Sequence, residues 1–126
     1  MDPLRRQLTD PDIERLLKVI ERIRILDRQF PAQVLSSLLY IASHDNCHKQ
    51  ALEEDLNITT ASSSRNTDWL SAYHRLRKPG MGLIIKEQDP GNGRRQQLRL
   101  SPKGHRLIQQ IKEDLYGPKD SGVTEE

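Results

Sequence analysis

Two groups of residues in this chain carry usable chemistry. The run Thr60-Ala61-Ser62-Ser63-Ser64-Arg65-Asn66-Thr67 is small, polar and dense in hydrogen-bonding groups. Hydroxyls can donate to phosphate oxygens, and Arg65 or Asn66 can pair with a base edge. Bulky apolar side chains at the start of a helix would hold the backbone away from a major groove, and this run has none. The second group is Arg94 and Arg95, which follow Gly91-Asn92-Gly93. Guanidinium groups on a glycine-rich turn suit the negative potential of a minor groove. Lys86, Arg99 and Lys103 stand nearby in sequence and are expected on phosphates.

Other chemistry finds little support. There is no G-x-S-x-G, no P-loop and no H-E-x-x-H, so no enzymatic activity is expected. His44, Asp45, Cys47 and His48 lie close together, but their spacing matches no zinc pattern and a second ligand cluster is lacking. Neither a metal nor another cofactor is expected. Cys47 precedes a helix start, a position that can lower a thiol pKa. His74 and His105 read as surface residues or extra phosphate contacts.

The elements that must position these residues follow from pattern. Asp10-Pro11-Asp12 opens a first helix, and Ile13, Leu16, Leu17, Ile20, Ile23 and Leu26 recur at helical spacing to about Asp27. A second helix begins at Pro31, carries a broad apolar surface and ends in Ser43-His44-Asp45-Asn46. A short third helix covers roughly His48 to Leu56. Asn57-Ile58-Thr59 forms a tight turn. A fourth helix, capped by Thr59 or Thr60, runs through Leu70 towards Leu76. Lys78-Pro79-Gly80-Met81-Gly82 stops it.

Leu83-Ile84-Ile85 and Gln97-Leu98-Arg99-Leu100 read as the two strands of a hairpin, with Asn92-Gly93 the favoured turn dipeptide. Ser101-Pro102 opens a last helix with Leu107, Ile108, Ile111 and Leu115 on one face. The expected organisation is a flexible segment 1–9, one domain over 10–116 with its hairpin at about 83–100, and a disordered tail 117–126. The fold class is α+β, mainly α: a helix-turn-helix followed by a wing.

Charge agrees with this placement. The chain's formal net charge is only +2 over 126 residues. Residues 60–106, however, hold ten Lys/Arg against three Asp/Glu, while both flanks are net acidic. A basic middle segment suits a polyanion. No apolar run approaches the roughly 20 residues a membrane span needs. The single cysteine and the absence of a signal-peptide pattern point to a reducing cytoplasm, where a DNA-binding chain is expected at the nucleoid.

From about Phe30 to Ile111 the sequence resembles the MarR-type winged helix-turn-helix regulators. Ala51-Leu52-Glu53-Glu54-Asp55-Leu56-Asn57-Ile58-Thr59 is similar to their first motif helix and turn, and Ser64-Arg65-Asn66-Thr67-Asp68-Trp69-Leu70 to their recognition-helix core. Gly82-Leu83-Ile84-Ile85 resembles the approach to the wing. Leu98-Arg99-Leu100-Ser101-Pro102-Lys103-Gly104 is similar to the R-L-T-x-x-G that leaves it, with Ser101 in the threonine's place. The family's wing carries Asp-x-Arg; here Asn92-Gly93-Arg94 has the arginine without the aspartate. The stretch from Ser71 to Met81 is longer than the family's junction. Only one helix follows the wing, where the family has a further dimerisation helix, so a family-type ligand pocket is expected to be reduced or missing.

The resemblance implies a sequence-specific regulator of double-stranded DNA, most often a repressor, working as a two-fold homodimer on a pseudo-palindromic site. In that frame Thr60, Ser62, Ser63, Ser64, Arg65 and Asn66 approach the major groove, and Arg94 and Arg95 the minor groove. The apolar stripes Ile13, Leu16, Leu17, Ile20 and Ile23, with Leu107, Ile111 and Leu115, offer the dimer interface. No small-molecule effector is identifiable. Two other classes stay open on sequence alone: a winged-helix protein-interaction module, and a non-catalytic replication or recombination factor.

Overall fold

The computed structural model describes residues 6–72 and 79–117. Five helices and three strands follow in the order α1 (Pro11–Leu26), α2 (Ala32–Ser43), β1 (Cys47–His48), α3 (Lys49–Leu56), α4 (Thr60–Leu70), β2 (Ile84–Asp89), β3 (Asn92–Leu100) and α5 (Pro102–Tyr116). They gather into two compact units. Among the described residues, one joins 6–28 with 109–117, and the other holds 29–72 and 79–108.

In the first unit, α1 starts where its cap requires. Asp10 accepts from the backbone N–H groups of Asp12 and Ile13, Pro11 sits at the first helical position, and acidic residues occupy the first turn. Arg22 and Asp114 form a two-pronged pair, Nε to Oδ2 at 2.6 Å and the terminal nitrogen to Oδ1 at 2.8 Å. The guanidinium holds the Asp114 carboxyl below the usual range. Val19, Ile23 and Ile111 are buried.

The second unit holds the helix-turn-helix and the sheet. Its core is Val34, Leu38, Ile41, Leu52, Leu70, Leu83, Ile84, Leu98 and Leu100. Asn57 ends α3 in the left-handed conformation at φ 54, and the Ile58 N–H returns to the Glu53 carbonyl at 3.1 Å. Two residues later Thr59 caps α4, its hydroxyl accepting from the Ser62 N–H at 3.0 Å. Those two local devices make the tight turn. The sheet is antiparallel in the order β1-β3-β2.

Three expectations change here. The fourth helix ends at Leu70, with the Ser71 N–H closing on Thr67, instead of continuing towards Leu76. The N–H groups of Met81 and Leu83 return to the carbonyls of Trp69 and Leu70, so the chain folds back over that helix end. The hairpin loop is Pro90-Gly91, not Asn92-Gly93, because Asp89 pairs with Asn92 across it. Asp89 Oδ1 accepts from the Gly91 N–H at 2.8 Å, and proline presets its own φ, so Asp-Pro-Gly closes the turn first. Cys47 and His48, expected as the approach to the third helix and its first residue, form β1 on the far side of β3.

The sequence Ser101-Pro102-Lys103-Gly104 is explained by geometry. The Ser101 hydroxyl donates to the Gly82 carbonyl at 2.6 Å and accepts from the Gly104 N–H at 3.0 Å, capping α5. A Cβ at Gly104 would stand 2.0 Å from the Leu83 carbonyl oxygen, so only glycine fits. His74, Arg75, Arg77 and Lys78, and the tail from Pro118, lie outside the described residues.

Candidate nucleic-acid interface

α4 has two unlike faces. Ser63, Asn66, Thr67 and Leu70 are buried, while Thr60, Ala61 and Arg65 are exposed and Ser62 and Ser64 half-buried. The inward face is polar because it is satisfied by hydrogen bonds. Ser63 donates its hydroxyl to Glu53. Asn66 Nδ2 donates to Gln33 Oε1 at 2.9 Å. The Thr67 hydroxyl donates to the Ser63 carbonyl at 2.7 Å.

This corrects the expectation for Ser63 and Asn66. The sequence suggests base edges for both; the structure turns both into the helix-turn-helix, where their polar atoms serve α2 and α3. Glu53 is the centre of that network. It also accepts from Lys49 Nζ at 2.7 Å and from the Thr60 hydroxyl at 3.1 Å. Burial alone would push the Glu53 carboxyl up, but the Lys49 ammonium and the Ser63 and Thr60 hydroxyls outweigh it and hold the group below its usual range.

The basic residues divide into committed and uncommitted groups. Lys86 Nζ lies 2.8 Å from Asp68 Oδ1, joining β2 to α4. Arg99 pairs with Glu87 across the hairpin at 2.9 Å. Lys103 Nζ donates to the Met81 carbonyl at 2.9 Å. All three are phosphate candidates by sequence; each has an internal partner. Arg94 and Arg95 are exposed, and among the described residues their side chains make no hydrogen bond or ion pair. They stand at the wing tip with full donor capacity.

The wing tip is held by a contact that local sequence does not announce. His48 Nε2 lies 2.9 Å from Asp89 Oδ2, linking β1 to the hairpin turn. The Gly91 N–H, and then His48, hold the Asp89 carboxyl below its usual range. Asp89 thus places a carboxylate at the hairpin turn, three positions before Asn92, with His48 and the Gly91 N–H as its partners. Between α3 and the wing runs a groove of about 340 Å³, lined by His48, Gln50, Thr60, Arg94 and Arg95 among others.

The His/Cys cluster disperses. His48 faces Asp89, and the His44 ring stacks on Tyr40 with centroids 4.0 Å apart. Cys47 lies in β1 opposite Leu98, and burial pushes its thiol up, contrary to the lowered value its position before a helix invites. Among the described residues no three His, Cys, Asp or Glu side chains gather around a common point suited to a metal. No helix there is long and apolar enough to cross a membrane.

The apolar face of α1 is open. Ile13, Leu16 and Leu17 are 60%, 51% and 55% exposed. Ile20 and Leu115 are half-buried. Ile23, Leu107 and Ile111, also expected at a dimer interface, are instead buried within the single chain. The helical spacing that groups Ile23 with Ile13 and Leu16 on α1, and Leu107 and Ile111 with Leu115 on α5, cannot say which part of each stripe the chain itself covers.

No protein-family model matches this sequence, and comparison with curated proteins returns no match. Solved structures do match. The chain is similar to MarR, at 21% identity over 81% of this chain and 74% of that one, with a TM-score of 0.57. It is similar to the transcriptional repressor CouR bound to a 23-mer DNA duplex, at 22% identity over 82% of this chain and 68% of that one, with a TM-score of 0.55. A mutant MepR of S. aureus bound to an oligodeoxyribonucleotide matches at 18% identity over 85% and 76% of the two chains, with a TM-score of 0.53. The chain has the mainly helical winged helix-turn-helix fold of these MarR-type proteins.

Proposed function

We propose that this chain is a duplex-DNA-binding transcriptional regulator, a repressor acting as a homodimer on a pseudo-palindromic site. The observation that carries the reading is the pairing of an outward α4 face, free of bulky apolar groups, with two uncommitted arginines at the wing tip. A helix of that kind fits a major groove, and arginines on a hairpin fit the adjacent minor groove. Ala61, Ser64 and Arg65 are the α4 residues available for contact, with Thr60 and Ser62 flanking them. Lys103, held by a neutral carbonyl, adds to the local positive field, whereas Asp68 and Glu87 largely offset the charges of Lys86 and Arg99.

The partner copy is proposed on the exposed stripe Ile13, Leu16 and Leu17. Three adjacent large apolar side chains on one helix are the kind of surface a second subunit covers. A two-fold pair would place its α4 helices in successive major grooves, about 34–36 Å apart. That two of the similar structures hold DNA supports the same reading.

The test is fluorescence anisotropy on duplex DNA across a salt series. Binding by phosphate neutralisation makes log K fall linearly with log salt. A salt-insensitive or absent duplex affinity, beside tight binding to a protein, would favour the interaction-module alternative. A preference for single strands or forks would favour a replication or recombination role.

A further inference from the structure

The open face of α4 is narrow enough to assign base contacts. With Ser63, Asn66, Thr67 and Leu70 turned inward, the 100° step of an α-helix sets Ala61, Ser64, Arg65 and Asp68 on the opposite side. The Asp68 carboxylate is engaged by Lys86 at 2.8 Å. What remains towards a groove is a methyl at Ala61, a hydroxyl at Ser64 and a guanidinium at Arg65.

These groups have definite partners among base edges. A guanidinium donates two parallel hydrogen bonds to guanine O6 and N7, and no other base presents that pair of acceptors. A methyl makes no hydrogen bond and packs on the 5-methyl group of thymine. The terminal nitrogen of Arg65 donates to Ser62 Oγ at 3.2 Å, which limits the arc through which the side chain sweeps. Ala61 lies one turn earlier, about 6 Å along the axis at 1.5 Å per residue. That is close to two base-pair rises of roughly 3.4 Å.

We propose that Arg65 reads a guanine and Ala61 packs on a thymine methyl within about two base pairs of it in each half-site, with Ser62 positioning the arginine. The proposal rests on the duplex-DNA reading and moves base discrimination away from Asn66.

The experiment uses the full chain and the duplex it prefers, with single guanines replaced by 7-deazaguanine and single thymines by deoxyuridine. For the native protein, one 7-deaza replacement per half-site should lower affinity about tenfold. The same replacement should leave Arg65→Ala unaffected. One thymine-to-deoxyuridine change should lower native affinity several-fold and leave Ala61→Gly unaffected. Ser62→Ala should weaken the guanine preference while Ser62→Thr restores it. Thermal melting confirms that each variant is folded, and the replacements on native protein need no variant at all. If salt-sensitive duplex binding persists but no guanine or thymine replacement changes native affinity, the base assignment falls and the DNA reading stands. The assignment also falls if Arg65→Ala keeps the guanine sensitivity. If duplex binding is absent altogether, the underlying reading fails and takes the assignment with it.

Discussion

His48 Nε2 and Asp89 Oδ2 meet at 2.9 Å across 41 residues of sequence, and this contact fixes the wing tip beside the helix-turn-helix. Asp89 is shared, one oxygen to His48 and the other to the Gly91 N–H. Asp89→Asn and His48→Ala should therefore weaken DNA binding by loosening Arg94 and Arg95, while leaving major-groove protection in place. Hydroxyl-radical cleavage reads the sugars along the minor groove and methylation of guanine N7 reads the major groove, so the two footprints together separate the effects. The acid dependence follows from the direction of the shift. A carboxyl lowered in the folded state adds stability that is present above its unfolded value, about 3.9, and is lost as pH falls through the lower folded value. An NMR titration of Asp89 should give a midpoint below that unfolded value; a midpoint at or above it would remove the latch.

Ser63→Ala and Asn66→Ala should act on stability and leave base preference unchanged. Each removes a hydrogen bond inside the helix-turn-helix, and Asn66→Ala leaves Gln33 without its donor. The expected loss is about 1–2 kcal/mol in urea unfolding for each. A relaxed base preference in Asn66→Ala at undiminished stability would mean that its amide faces the groove after all.

Gly104→Ala should destabilise by about 1–3 kcal/mol, because the new Cβ collides with a backbone oxygen that also accepts from the Ser101 N–H. Gly91→Ala is the control. Its Cβ would meet only Asp89 Oδ1 at 3.6 Å, an ordinary contact. Equal melting temperatures for the two variants would contradict the close approach at Gly104.

Leu16→Glu or Leu17→Glu should convert a dimer to a folded monomer, since both side chains are about half exposed and neither is needed in the chain's own core. Sedimentation equilibrium with circular dichroism reads both properties. A native protein that is already monomeric at micromolar concentration would contradict the interface.

Arg94→Ala and Arg95→Ala should weaken binding to all duplexes alike and reduce the salt slope by about one each. An unchanged slope would place the wing tip away from the phosphates.

Local sequence shows the framework. Asp10-Pro11, Thr59 and Ser101-Pro102 each satisfy orphan backbone groups within a few residues, so helix starts are legible from neighbours alone. The end of α4 is less so: beyond Leu70 the apolar residues continue at helical spacing, and nothing nearby marks the return of Met81 and Leu83 over the helix end. The facing of α4 misleads for a physical reason. Polar residues are mostly exposed, yet Ser63, Asn66 and Thr67 are buried because distant or backbone partners satisfy them. The His48–Asp89 contact is invisible in the sequence because it depends on the sheet bringing β1 beside β3.

Whether α4 and the wing read duplex DNA as a two-fold pair is decided by selecting bound duplexes from a random library. An enriched inverted repeat is expected, with half-sites about one helical turn, roughly 10 base pairs, apart and a guanine near a thymine in each. A library that returns no enriched duplex, or an enriched motif with no symmetry, would contradict the two-fold DNA-reading assignment.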